Sequence, residues 1–475
     1  ATSGDDNVAI GRLALGAGTL TGASNIAIGA TAGDAITSGA YNIAIGEIAY
    51  GAAETGTYNT AIGYNAIGTG VTTGQMNVAM GVSSLAALTS GNCNVAIGRS
   101  ALGGGAVTGH SNVAMGNSTM DALTSGGDNI AIGRNTLGAA TNNNDNVAIG
   151  RAALATTDGD GDCNIAIGMT AMGGADVAGA DNIAIGTTSM DALTSGACNI
   201  ALGEGALGGA TIGNNNVAIG KGPMLGVTTG AANDNIAIGD SALKGSASTT
   251  GDYNIALGVS SLYAVTTGND NIAIGRDTAD ALTSGACNIA LGQAALGQAT
   301  TGNENIGIGY VALGGANLEG DYNVGIGYLA GTKVTTACHN VAIGTNSADA
   351  TTTGGHNVAI GRNAYGAATI GIKNVAIGCG AMNAVTTGQA DSNIAIGNDA
   401  MKGSGTTSGN YNVALGDSTL CAVTTGSDNI AIGRAAGDSI SSATCVINIG
   451  FSADNTVSNT ACIGGTCVMA AQFTA

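Results

Sequence analysis

"DNIAIGR" occupies residues 128–134, and the same seven letters return at 270–276 and 428–434. Its near-copy "DNVAIGR" stands at 6–12 and 145–151. Within the heptad, Asn129, Ala131 and Gly133 alternate with Ile130 and Ile132. That period of two predicts a short β-strand with two chemically different faces. Apart from its one aspartate, nothing among these letters could act as a nucleophile or a general base.

Outward from this heptad, the kernel Asn-x-Ala-(Ile/Leu/Met)-Gly recurs along nearly the whole chain, with Gly307 and Gly325 in the alanine place. Its asparagines, among them Asn7, Asn25, Asn42, Asn59, Asn129, Asn271 and Asn429, number 25, and every spacing is 17, 18 or 19 residues. Three residues past the kernel glycine stands a small residue followed by a large apolar one, as in Ala101-Leu102, Thr119-Met120 and Ala153-Leu154. This pair reads as a second strand. A "TTG" or "TSG" turn then leads to the next asparagine, where glycine supplies the backbone freedom of a tight turn.

A repeat this short cannot bury its own apolar face, but a stack of repeats can. The sequence therefore predicts an all-β fold, a repetitive β-solenoid of about 25 coils of 17–19 residues over 1–433, with degenerate terminal coils or a cap over 434–475. At a strand spacing of about 4.8 Å the coils would make a rod roughly 120 Å long. A stacked asparagine amide can bond to the coils above and below, so the motif asparagines read as a structural ladder. Helical repeats are excluded by the glycine content and the lack of a 3.6-residue stripe.

Composition narrows the class further. The 475 residues include 83 glycines, one proline and no tryptophan, and only 3% are aromatic. That is poor material for an irregular packed core. With 44% hydrophobic and 9% charged residues the chain is not of disordered type, and no apolar run is long enough to cross a membrane. A net charge of −19 argues against nucleic acid as a partner. No cofactor or metal is expected.

Both strand faces are dry. Small Asn, Ala and Gly suit the inside of a flattened coil, leaving the Ile and Val row to pack against other copies, as in a homotrimer. The alternative is a single-chain solenoid with Ile and Val inside and a flat Asn-Ala-Gly surface. The repeats resemble the "NTAIG…AL…TTG…N" repeats of phage tail fibres and related bacterial fibre proteins. They are also similar, at a shorter period, to the heads of trimeric autotransporter adhesins. That resemblance implies left-handed β-rolls wound as homotrimers, located outside the cell or on a virion. It covers about residues 7–433. The coiled-coil stalk, membrane anchor and self-cleaving chaperone domain of such proteins have no counterpart here, and "SNTACIGGTCVMAAQFTA" at the end resembles the degenerate coils that precede such a domain.

Two variable columns flank the strand. All seven arginines (Arg12, Arg99, Arg134, Arg151, Arg276, Arg362, Arg434) directly follow a kernel glycine, in a column shared with Glu47, Glu204, Asp240 and Asp417. The position before the kernel asparagine holds seven aspartates, Tyr41, Tyr58, Tyr253, Tyr322 and Tyr411, and His339 and His356. These columns read as exposed strand ends, and the tyrosines as a surface-binding row for glycans or a receptor. Cys93, Cys163, Cys198 and Cys287 share the second column, never in adjacent repeats, so no disulfide ladder is expected along it. The thiols mostly read as small buried hydrophobes. Cys445, Cys462 and Cys467 crowd the terminus, where a bridge would pin the last coils. Zinc is not expected, for no C-x-x-C pair exists.

"TTDGDGDCN" places Asp158, Asp160, Asp162 and Asn164 at alternate positions, but it lacks the glycine and glutamate of a calcium loop and reads as an acidic turn. "GEGALG" at 203–208 matches a dinucleotide fingerprint by composition alone. "NST" at 117–119 is a single glycosylation sequon. The expected function is a non-enzymatic structural protein of an extracellular fibre or filament, a rigid rod stacking end to end with other rods. The alternative is a receptor- or glycan-binding adhesin or tail-fibre shaft. Ice binding through threonine arrays ranks third.

Overall fold

The structure is a computed structural model that describes residues 4–16, 18–157, 161–227, 231–245, 249–384, 390–403 and 408–464, and the backbone of 466–468. It forms two compact units, Ala1–Asn235 with Ala247–Thr249, and Ile236–Ser246 with Thr250–Ala475. Each is an all-β parallel solenoid, and no helix occurs among the described residues. The first unit carries thirteen three-residue strands, from β1 (Val8–Ile10) through β8 (Ile130–Ile132) and β9 (Val147–Ile149) to β13 (Val217–Ile219). The second runs from β14 (Ile236–Ile238) to β26 (Ile447–Ile449), then adds β27 (Ala461–Ile463) and β28 (Thr466–Val468).

Within each unit successive strands pair in parallel, like residue against like. Ile130, Ala131 and Ile132 of β8 lie beside Val147, Ala148 and Ile149 of β9. The variation between 17 and 19 residues is absorbed outside the strands, which keeps this register. At the terminus β27 still pairs in parallel with β26, and β28 turns back antiparallel on β27. The coil of β26 departs from the kernel. Val446 replaces the asparagine, and Asn448 replaces the alanine, fully buried with its Oδ1 unpartnered.

The alanines of the kernel point inward, and Ala131, Ala148 and Ala166 are all 0% exposed. Ile130 and Ile132 point outward at 39% and 38%. The arrangement with Ile and Val inside is therefore overturned. The reason is width: a Cβ added to Gly325, in the alanine column, would stand 2.7 Å from Leu313 Cγ. A coil this flat has no room for a branched side chain there.

The predicted second strand is not formed. In its place, alternate residues adopt the left-handed conformation, as at Ser100 (φ 55°) and Leu102 (φ 50°). The alternation sends their N–H groups to opposite neighbours. Ser100 N–H donates to Val82 O of the preceding coil (2.9 Å), and Leu102 N–H to Thr119 O of the next (2.9 Å). Each non-glycine in this conformation costs about 1–2 kcal/mol, and burying a leucine side chain returns about 1.5–3 kcal/mol. Leu102, Leu154 and Met120 are all fully buried. The small-large pair is thus a core wedge on a stacked turn. Alternating apolar letters in the sequence cannot distinguish that from a strand.

Two glycines separate conformation from clearance. Gly63 has φ +131°, and a Cβ there would stand 2.6 Å from Gly81 O. Gly205 has φ +64°, in the register that Ser100 occupies, and its nearest neighbour is Leu225 Cδ1 at 3.5 Å. Gly63→Ala is expected to cost more than about 3 kcal/mol, and Gly205→Ser no more than the about 1–2 kcal/mol of a left-handed non-glycine. Urea titration of the two variants beside the parent checks the contrast; equal losses would refute it.

Candidate functional site

The kernel asparagines form the interior rail. Asn42 Nδ2 donates to Asn25 Oδ1 of the preceding coil (3.1 Å) and to Gly56 O of the turn (2.8 Å). Its backbone N–H also donates to Asn25 Oδ1 (3.0 Å), and its own Oδ1 accepts from Asn59 N–H (2.9 Å). The same bonds join Asn7 to Asn25, Asn112 to Asn129, Asn254 to Asn271 and Asn412 to Asn429. Both amide hydrogens and the carbonyl are used, which is what lets so polar a group stay buried. The rail has no spare valence for chemistry on a substrate.

Two tyrosines join the rail unannounced by the binding-row reading. Tyr50 and Tyr365 take the large-residue place of their coils and are 0% and 1% exposed. Their hydroxyls accept from Asn59 Nδ2 and Asn374 Nδ2, each at 2.8 Å. Burial raises both phenols far above their ordinary value, against the smaller opposing effect of the asparagine bond. The signal was available: Ala49-Tyr50 and Ala364-Tyr365 align with Ala101-Leu102.

The outward face carries four columns: the residue before the asparagine, the two apolar strand positions, and the residue after the kernel glycine. The first column is held in the left-handed conformation, for example Tyr41 at φ 58° and Asp128 at φ 59°, and it points to solvent. Tyr41 and Tyr58 stack at 4.9 Å between ring centroids, and Tyr322, His339 and His356 stack in series at 4.9 and 4.8 Å. Tyr253 and Tyr411 stand apart, 59% and 62% exposed. The Glu304 carboxylate next to Tyr322 raises that phenol above its ordinary value. In the fourth column Tyr310 stacks on Tyr328 at 5.3 Å, a pair the sequence reading did not single out.

Among the described cysteines Cys462 alone is buried, against the burial expected for most of the thiols. Cys93, Cys163, Cys198, Cys287 and Cys445 are exposed, and Cys338, Cys379 and Cys421 half-exposed. They sit on the outward face or on turns, not in the coil interior, where the column before the asparagine has no access. Desolvation, then the Asp181, Asp145 and Asp162 carboxylates, raise the Cys163 thiol, so it is a poor nucleophile. The backbones of Cys462 and Cys467 lie directly opposite each other in β27 and β28.

Among the described residues no group of three or more His, Cys, Asp or Glu is placed to hold a metal ion. Asp158 and Asp160 lie outside the described residues. No helix follows "GEGALG", whose residues belong to one strand end and its turn. The turn threonines spend their hydroxyls inward: Thr124, Thr194 and Thr283 donate Oγ1–H to carbonyls of the next coil at 2.9, 2.8 and 3.0 Å. Those bonds remove this threonine column from any array that could order ice, while Ser125, Thr267 and Thr336 beside it are exposed. No helix among the described residues is long and apolar enough to cross a membrane. No protein-family model matches the chain, and no curated protein matches it.

The buried phenols fix one pH dependence. Their folded pKa lies above the ordinary value of about 10, so the stability they contribute is complete below pH 10. It is lost as pH rises beyond that value, because the unfolded chain then gives up protons that the folded chain keeps. Thermal unfolding at pH 8 and pH 11 is expected to show a drop that the Tyr50→Phe/Tyr365→Phe variant reduces. An unchanged drop would refute the assignment.

Proposed function

We propose that this protein is a non-enzymatic structural component of an extracellular fibre, assembled from copies of itself. The observation that carries the reading is the outward strand face. In each unit, coil after coil presents two apolar side chains of one parallel strand to solvent, including Ile185, Ile274, Ile396 and Ile432 at 38–40% exposure. Contiguous apolar surface of this kind marks an association site. The interior is already filled by Asn, Ala and Leu, so the face has no further role within the chain. A homotrimer that turns three such faces toward a common axis accounts for it, and we take this as the assembled form.

The fully committed asparagine rail supports a mechanical role, since it offers no group to a substrate. A chain with a net charge of −19 is not suited to nucleic acid. Self-association thus explains most of the molecule with least chemistry.

Sedimentation equilibrium is expected to give three times the chain mass. Ile130→Lys/Ile132→Lys is expected to lower that mass with the far-ultraviolet dichroism unchanged, because both side chains lie outside the coil. A parent that sediments as a single chain at every concentration would sink the proposal.

A second reading rests on the stacked rings. Tyr41 with Tyr58, and Tyr322 with His339 and His356, offer flat exposed aromatic surface of the type that receives sugar rings or a receptor. On that reading the chain is an adhesin or tail-fibre shaft that binds cell-surface glycans. A glycan-array screen in which Tyr41→Ala/Tyr58→Ala abolishes a bound signal supports it, and binding indifferent to these changes removes it.

A further inference from the structure

We infer that the Asp and Arg of the DNxAIGR coils set the register between copies: the Asp of one copy pairs with the Arg of the same coil in the next copy, the two lying parallel. The inference rests on the self-association proposed above and specifies its geometry. Five of the seven arginines in the fourth column share their coil with one of the seven aspartates of the first column: Asp6 with Arg12, Asp128 with Arg134, Asp145 with Arg151, Asp270 with Arg276, Asp428 with Arg434. Seven and seven placed independently over 25 coils would coincide about twice (7 × 7 / 25). All ten side chains are exposed.

These pairs cannot close within one chain. Six residues of extended strand separate Asp128 from Arg134, roughly 15–20 Å, beyond a screening length of about 8–10 Å. Among the described residues none of the five aspartates has a cation within 4.0 Å, and of the five arginines only Arg276 has an acid, Asp277 at 3.8 Å. Stacking makes matters worse inside the chain. The adjacent coils of β8 and β9 set Asp128 beside Asp145 and Arg134 beside Arg151, like charges at about the 4.8 Å ladder spacing. By contrast, Glu204 and Lys221 of adjacent coils in the fourth column do pair, at 4.0 Å.

A second copy resolves this in one orientation. When copies of one unit are related by rotation about an axis parallel to its solenoid, the first column of one copy faces the fourth column of the next, and every such Asp of that unit meets an Arg at its own level. Turning the second copy antiparallel sets aspartates against aspartates. Sliding it by one coil leaves one of the five pairs: Asp128 meets Arg151, but Asp145 meets Met169, Asp6 meets Ala30, Asp270 meets Gln293 and Asp428 meets Phe451. The apolar columns of thirteen coils cover roughly 600 Å², and the charged columns carry the face past the roughly 800 Å² per partner of a standard interface. Apolar rows supply the area, and the charges select parallel, unshifted packing.

The test is charge exchange, read by sedimentation equilibrium at low and high salt. Asp128→Arg/Asp145→Arg, and separately Arg134→Asp/Arg151→Asp, are expected to weaken association at low salt by roughly tenfold or more. All four changes together are expected to restore it, since each reversed edge then meets a reversed edge. Doubles that associate like the parent, or a fourfold variant no better than the doubles, overturn the register while leaving self-association standing. A parent that never associates removes both. For a variant that does not fold, the Arg434→Lys chain, half of it labelled with 15N, is treated with a zero-length carbodiimide. A link between Asp428 of one chain and position 434 of a differently labelled chain supports the register, and links only to other coils refute it.

Discussion

Every coil built on the kernel depends on one amide being consumed. At Asn42 the carbonyl accepts twice from the asparagine of the next coil, one amide hydrogen goes to the asparagine before, and the other closes the turn of its own coil. A buried amide left half satisfied would cost on the order of 1–3 kcal/mol, repeated coil after coil. Spacing, register and the small size of the neighbouring side chains all follow from keeping that amide in place.

Around this rail the fold combines strain with burial. Left-handed residues before the asparagine and on both sides of the small residue bend the backbone sharply, so that 17 residues complete a coil. The same bends direct N–H groups alternately to the two neighbouring coils. Kernel glycines carry φ values near 130°, where no side chain is tolerated, and their backbones nearly touch from coil to coil. The result is a thin coil whose interior takes Ala and Asn on one side and Leu, Met or Tyr on the other. It turns the branched Ile and Val of the strand outward, while Ile36, Val107 and Val265 of the turns are buried.

That consequence links the fold to the function we propose. An interior sealed by small residues spends little apolar surface on the chain's own stability, and the surplus lies on one face. Charged columns edge this face with acid on one side and arginine on the other. The heptad that first reveals the repeat combines all these elements: a coil-closing Asn, an inward Ala, outward Ile, an obligatory Gly, and two charges that cannot reach each other.

The sequence by itself determined the repeat, its period, the strand at "NIAIG" and the asparagine rail, because a stacked fold repeats its local chemistry at fixed intervals. It also placed Tyr41, Tyr58 and Tyr322 on an exposed column, since a position that accepts Asp, Tyr, Cys and His alike is not packed. Which strand face is buried was not legible: Ile-x-Ile beside Asn-Ala-Gly fits either direction, and only the width of the closed coil decided it. The Ala-Leu segment was misread as a strand because left-handed backbone leaves no mark in side-chain alternation. The cysteines were misplaced because thiol composition suggests burial while column position dictates exposure. Tyr50 and Tyr365 went unassigned until neighbouring coils set their hydroxyls against the rail, a contact that exists only across the stack.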